Sequence, residues 1–326
     1  MAALRFAPGL ACAGFALFAA CTAGGGHGGS SRAAASAAPS AAAGEAIVVC
    51  GARISIGTPV VLWSDPGGYD ASTPGPVFTE DGPPGLRYQP GRDWSPRGSA
   101  LTLDELRTGV DLLVLHYDAC GFSRRCFRLL QDERVLSAHF LLDADGTLYQ
   151  TLDLRDQAWH GRATNARSIG IEMAQMGVYT RDDDPWDKQQ WYQREGGQLR
   201  LTVPEAFGDP HFRRPGPLYS ARNEVVRGSI HGRTWEQVDF TPQQYDALVK
   251  LTAALRRIFP KIALDAPRAA DGTIRAGEVS KREIDKFQGV LGHYHITSER
   301  NDPGPAFDWD RLFDGVRAAD EQRWPR

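Results

Sequence analysis

SIGIEM, residues 168–173, alternates: Ile169, Ile171 and Met173 point one way, and Ser168, Gly170 and Glu172 the other. That period of two predicts a strand with one apolar face and an acidic side chain on the opposite one. Upstream, LLVLH (112–116) is a short continuous apolar run, as expected of a strand buried on both faces. SAHFLLD (137–143) and TLYQTL (147–152) flank Ala144-Asp145-Gly146, and an Asp-Gly between two such runs predicts a hairpin. Downstream, VLGHYH (290–295) completes the sheet. Helices fall between these runs. Thr241-Pro242-Gln243-Gln244 provides an N-cap, a Pro in the first helical position and a Gln three residues after the cap. Tyr245, Leu248, Val249, Thr252, Leu255 and Phe259 then recur at helical spacing until Pro260 stops the helix. Shorter helices are expected over 122–133 and 279–288. Strands interleaved with helices predict an α/β domain.

Outside this pattern the chain changes character. Residues 1–21 carry Arg5 and then an apolar run from Phe6 to Ala20, shorter than the roughly 20 residues a membrane-spanning helix needs. The stretch reads as a secretory signal. Ala19-Ala20-Cys21 resembles a lipoprotein cleavage box, with Phe18 where Leu is usual, so Cys21 is expected to carry lipid. An exported, periplasmic, membrane-anchored protein is the corresponding expectation, and a plain cleaved signal the alternative. Residues 22–45 are almost all Gly, Ala and Ser, a flexible tether in which His27 is solvated. Residues 46–105, rich in Pro and Gly from residue 51 onward, are expected to form an arm with little regular structure. The catalytic-type domain would then span 106–318, with a long insertion at 178–240 and a tail at 319–326. The insertion has little periodicity and is expected to rim or cover a cleft. Its Trp186, Trp191 and Tyr192 could instead serve a protein contact. The formal net charge of −3 leaves no basic footprint for nucleic acid.

Three side chains invite a metal. His116 ends one strand, His293 lies near the end of another, and Asp302 precedes Pro-Gly-Pro. Catalytic zinc takes three such protein ligands and a water, although most lone histidines are structural. The chain has no His-Glu-x-x-His helix motif. His139, inside an apolar run, reads as a packed interior histidine, and His211 and His231 as surface or packing residues. Cys120 and Cys126 lie six apart, near enough to pair in an oxidising compartment or to remain two thiols, and Cys50 has no evident partner.

LLVLH, SAHFLLDADGTLYQ, AWHGRATNARSIGIEM and GHYHITSERNDPGPAFDW together resemble the zinc-dependent N-acetylmuramoyl-L-alanine amidases of the type-2 family. That family includes phage T7-type lysozyme, the bacterial anhydromuropeptide amidases and the animal peptidoglycan recognition proteins. The resemblance covers roughly residues 110–175 and 240–312, in the family's order. It implies a central, mainly mixed sheet flanked by helices. It implies that His116, His293 and Asp302 hold one zinc ion and that Glu172 is the catalytic carboxylate. Arg300 stands where the anhydromuropeptide amidases carry an oxyanion-stabilising Lys, in a loop one residue shorter, and keeps the charge on a bulkier, planar head. Trp159, His160 and Asn165 match the segment bordering the sugar-peptide groove, so His160 and Asn165 are expected to touch substrate. His295 is expected either to orient a ligand or to pack. The Cys120–Cys126 spacing resembles a disulfide of the recognition proteins. The implied activity is hydrolysis of the amide between the lactyl group of N-acetylmuramic acid and L-alanine, in peptidoglycan or muropeptides. A non-catalytic peptidoglycan-binding lipoprotein of the same fold is the alternative.

Overall fold

Seven strands make the central sheet: β1 (Gly44–Val49), β2 (Ala52–Leu62), β3 (Leu112–Tyr117), β4 (Phe140–Leu142), β5 (Leu148–Gln150), β6 (Ser168–Met173) and β7 (Gly289–Gly292). This computed structural model describes residues 44–72, 88–95, 101–180 and 188–322, which fall in the unit Ser40–Arg326. The expected signal, Cys21, residues 22–43 of the tether and Trp186 lie outside the described residues.

The strand order is β1-β2-β5-β4-β6-β3-β7. β1 pairs antiparallel with β2, and β4 with β5 across the predicted Asp-Gly turn. The pairs β2–β5, β4–β6, β6–β3 and β3–β7 are parallel. The sheet is therefore mixed, within an α/β fold. Alternation decides its two faces. Leu113, Leu115, Ile169, Ile171 and Met173 pack into one core with the helix Pro242–Ile258. Leu112, Val114 and Leu291 face the other way, onto Val279 and Ile284. Ser168, Gly170 and Glu172 share that second face with His116.

The long helix forms as its sequence predicts. Thr241 Oγ1 accepts the Gln244 N–H at 3.1 Å, and the Gln244 side chain accepts the Thr241 N–H at 3.0 Å. Such a cap contributes about 1 kcal/mol. Leu251 and Leu255 are fully buried against the sheet, each burial stabilising by about 1.5–3 kcal/mol.

Three expectations need correction. Residues 46–105 are not an irregular arm throughout: β1 and β2 form the edge hairpin of the sheet. Gly57, at φ +73°, and Pro59 lie in a register break between Ser55 and Val60, beyond which β2 pairs with β5 on its other side. The strand ending VLGHYH stops at Gly292, and His293–Ile296 is a short helix. The turn is made by side chain and loop: His295 Nδ1 accepts the Gly292 N–H at 2.9 Å, and Tyr294 N–H donates to the Asp302 carbonyl at 3.1 Å. The 178–240 insertion is also structured where described. It holds a three-stranded sheet (Tyr192–Glu195, Gln198–Leu201, Leu218–Tyr219) and a hairpin (Val226–Ile230 with Arg233–Gln237). Trp191 is fully buried beside Phe122, Met176 and Phe207, so it is not available to a partner protein.

Candidate metal centre

β3 and β6 run side by side in register, with His116 opposite Glu172. Neighbouring strands lie about 4.8 Å apart, so the two side chains rise from the same face as near neighbours. β7 flanks β3 on its other side and pairs Gly292 with Leu115. The helix that starts at His293 therefore begins next to His116. Asp302 arrives on the following loop, and its peptide bond to Pro303 is cis.

The three candidate ligands converge. His116 Nδ1 lies 3.0 Å from His293 Nδ1 and 2.9 Å from Asp302 Oδ2, and His293 Nδ1 lies 3.0 Å from the same oxygen. All three residues are buried. Burial, followed by the charge of His293, lowers the pKa of His116 to about 4 despite Asp302 beside it. Its ring is thus neutral near pH 7, the form that ligates. For Asp302, burial pushes upward, yet His293 and the hydrogen bonds from both imidazoles outweigh it and hold the carboxyl well below the usual range. Glu172 differs: burial first, then Asp302 and Asp118, raise it well above an ordinary carboxyl. Two carboxylates near one point are thereby pushed apart in acidity.

The donor set suits zinc. Two imidazole nitrogens and a carboxylate oxygen converge on one point, so with the rings in the tautomer that leaves Nδ1 unprotonated all three are acceptors awaiting a cation. Ligands at about 2.0–2.1 Å from a tetrahedral zinc lie about 3.3 Å apart, and the three observed separations fall a few tenths of an ångström below that. Two imidazoles and one carboxylate, with no protein ligand needed at the fourth position, is a catalytic rather than a structural donor set.

A cleft of about 200 Å³ opens over this cluster. Glu172 lines it, with Trp159, Leu130 and Leu136 on one wall and Arg300 and Asn301 at the rim. The described residues of the insertion contribute nothing to its lining, so they form no lid. They support it from behind. His231 Nδ1 accepts the Glu278 N–H, which leaves Nε2–H to donate to the Arg300 carbonyl at 2.9 Å. Gln237, fully buried, donates to the Pro303 carbonyl at 3.0 Å and accepts the Ala306 N–H at 2.9 Å. Gly304 allows this contact, because a Cβ there would meet Gln237 Oε1 at 2.1 Å. Arg222 bonds Asp239 and the Ala306 carbonyl. The Arg300 guanidinium makes no hydrogen bond or ion pair among the described residues, and its side chain is exposed at the rim.

Other expected residues have internal partners. Asn165 Oδ1 accepts the His160 and Gly161 N–H groups at 3.1 and 2.6 Å. His160 lines the cleft but also lies 3.1 Å from His116 Nε2. His295 caps the short helix and meets the Arg275 carbonyl at 2.8 Å, a packing role. His139 is fully buried and accepts the Gly170 N–H at 3.0 Å, as a packed interior histidine should. The expected Cys120–Cys126 bridge is not formed. Both are free thiols, buried in one apolar cluster with Leu130 and Leu141. Gln237 and Arg92 escaped sequence reasoning, since each lies in a stretch without periodicity, whereas His231 is a packing residue as its sequence suggested. Gly170 was readable in principle: a glycine on the polar side of an alternating strand marks a close approach.

Residues 106–195 match the model of the Amidase_2 family, N-acetylmuramoyl-L-alanine amidase. No curated protein sequence matches the chain. Several solved structures are similar, three of them as follows. An AmpD derivative is 20% identical, at a TM-score of 0.33, over 64% of this chain and 86% of that one. AmpDh3 from Pseudomonas aeruginosa, in complex with anhydromuramic pentapeptide, is 18% identical at 0.35, over 63% and 59%. The amidase AmiD from E. coli, in complex with the substrate anhydro-N-acetylmuramic acid-L-Ala-D-gamma-Glu-L-Lys, is 16% identical at 0.37, over 68% and 60%. The chain thus spans about three fifths of the length of the latter two.

Proposed function

We propose that this chain, a member of the type-2 N-acetylmuramoyl-L-alanine amidase family through its residues 106–195, is a zinc amidase cutting between the lactyl group of N-acetylmuramic acid and L-alanine in peptidoglycan or muropeptides. The observation that carries the reading is the meeting of His116 Nδ1, His293 Nδ1 and Asp302 Oδ2 within 3.0 Å of one another, in a cleft that Glu172 also lines.

His116, His293 and Asp302 would hold the zinc. When bound, zinc supplies Lewis acidity and makes water a better nucleophile near neutral pH. The rest is done by this chain. Glu172 takes a proton from the attacking water as its oxygen bonds to the lactyl carbonyl carbon, then returns that proton to the alanine nitrogen as the C–N bond breaks. A carboxyl held above its ordinary range suits both halves of that transfer. Arg300, exposed at the rim, would stabilise negative charge on the carbonyl oxygen. Trp159 and the leucines beside it offer an apolar wall for substrate. The exported, lipid-anchored location read from residues 1–21 belongs to the same proposal, and would keep the domain near its polymer.

The test is a mass spectrum of peptidoglycan digested by the purified zinc-loaded protein. Free stem peptides with N-terminal L-alanine are expected, and they should vanish after chelation. Undiminished release by metal-free protein would rule out the mechanism.

A further inference from the structure

We propose that His160 is a positioning residue for the metal centre, fixing the ring of His116 through a hydrogen-bonded chain that ends on Ser168 and is seated on Gly170. The proposal rests on the zinc reading above and concerns residues that do not touch the metal.

The tautomers follow from geometry. If His116 offers Nδ1 to the metal, its proton must sit on Nε2. Nε2 lies 3.1 Å from His160 Nδ1, which can only accept. The proton of His160 is then on its own Nε2, 3.2 Å from Ser168 Oγ, which accepts in turn. Every ring nitrogen in the chain has one role, and the direction of each bond is set by the ligand end. Metal-binding histidines commonly have their second nitrogen held in this way, which fixes both tautomer and ring orientation. Here the partner is a second imidazole, whose own Nε2 finds Ser168 Oγ at 3.2 Å.

The surroundings hold His160 in place. A Cβ on Gly170 would come within 2.5 Å of the His160 ring, so the strand carries glycine where the ring lies flat on the backbone. Asn165 fixes the main chain of His160 from the other side. Behind them, Arg92, which precedes the family segment and is 1% exposed, donates to the carbonyls of Asn165, Ser168 and Leu154 at 3.1, 2.9 and 2.7 Å. The pair Asn165 and His160, read from sequence as substrate contacts, is thus wired inward. Ser168 and Gly170 sit on the same face of β6 as Glu172, so one strand supports the ligand and supplies the carboxylate.

The experiment measures zinc affinity by chelator competition, together with the visible spectrum of the Co2+-substituted protein, for the unsubstituted chain and for His160→Ala, His160→Asn, Gly170→Ala and Ser168→Ala. His160→Ala and Gly170→Ala should each weaken zinc binding by about 10- to 100-fold and alter the Co2+ bands. His160→Asn, whose Oδ1 can replace the Nδ1 acceptor, should recover most of the affinity. Ser168→Ala, a small change that leaves the fold intact, should cost several-fold and decides the matter if a larger substitution fails to fold. Tight zinc binding by the unsubstituted chain with unchanged affinity and spectrum in the variants would overturn the positioning role alone. An unsubstituted chain that binds no zinc would overturn the metal reading beneath it as well.

Discussion

His116 and Asp302 reach the same point by opposite means. His116 belongs to a strand buried between β6 and β7, its backbone fixed by two parallel ladders and its ring held by His160. Asp302 belongs to a loop, and the loop is held by side chains from the insertion: Gln237 on Pro303 and Ala306, and His231 on Arg300. One ligand is placed by regular structure and the other by clamps from about 65 residues away in sequence. The difference teaches where such a centre is vulnerable. A sheet-borne ligand moves only if the sheet does, whereas a loop-borne one moves when a single buried amide is lost.

The largest effect should come from the ligands themselves. Asp302→Ala or His116→Ala should drop zinc from about one per chain to near none and abolish turnover, read by elemental analysis and peptide release. Equal loss from both ends would show that placement, not chemistry, separates them. Glu172→Gln should keep zinc and lower turnover by about 10²–10⁴-fold, and full activity would remove Glu172 from the chemistry. Arg300→Ala should lower turnover by about 10²-fold with zinc occupancy unchanged; if neither quantity moves, the guanidinium is peripheral. The comparison itself is sharpened by Gln237→Ala. Loss of its two loop contacts should cost about 1–3 kcal/mol and weaken zinc roughly tenfold. Unchanged affinity would mean that the Asp302 loop holds its own shape.

Much of this was legible because it is local. The alternation of SIGIEM placed Glu172 on the face that also bears His116, and the capped helix at Thr241 needed nothing beyond its own residues. What escaped was long-range or compensated. The Pro and Gly content of 46–105 pointed to an irregular arm, yet Gly57 and Pro59 sit in a register break within β2, so a core strand passed for a loop. His293 read as strand because apolar residues precede it, but the His295 ring and the Asp302 carbonyl turn the chain there. In the insertion the buttressing residues are scattered polar side chains, whose partners only the folded chain brings near. Cys120 and Cys126 are adjacent as their spacing suggested, but proximity does not make a bond, and both remain thiols.

Those thiols also set the most direct measurement. Cys126 lines the same cleft as the candidate ligands, and a thiolate would compete for zinc. X-ray absorption at the zinc edge of the loaded protein should show nitrogen and oxygen neighbours at about 2.0–2.1 Å, with imidazole scattering from two histidines. A sulfur shell at about 2.3 Å, or a metal lacking imidazole neighbours, would contradict a centre built from His116, His293 and Asp302.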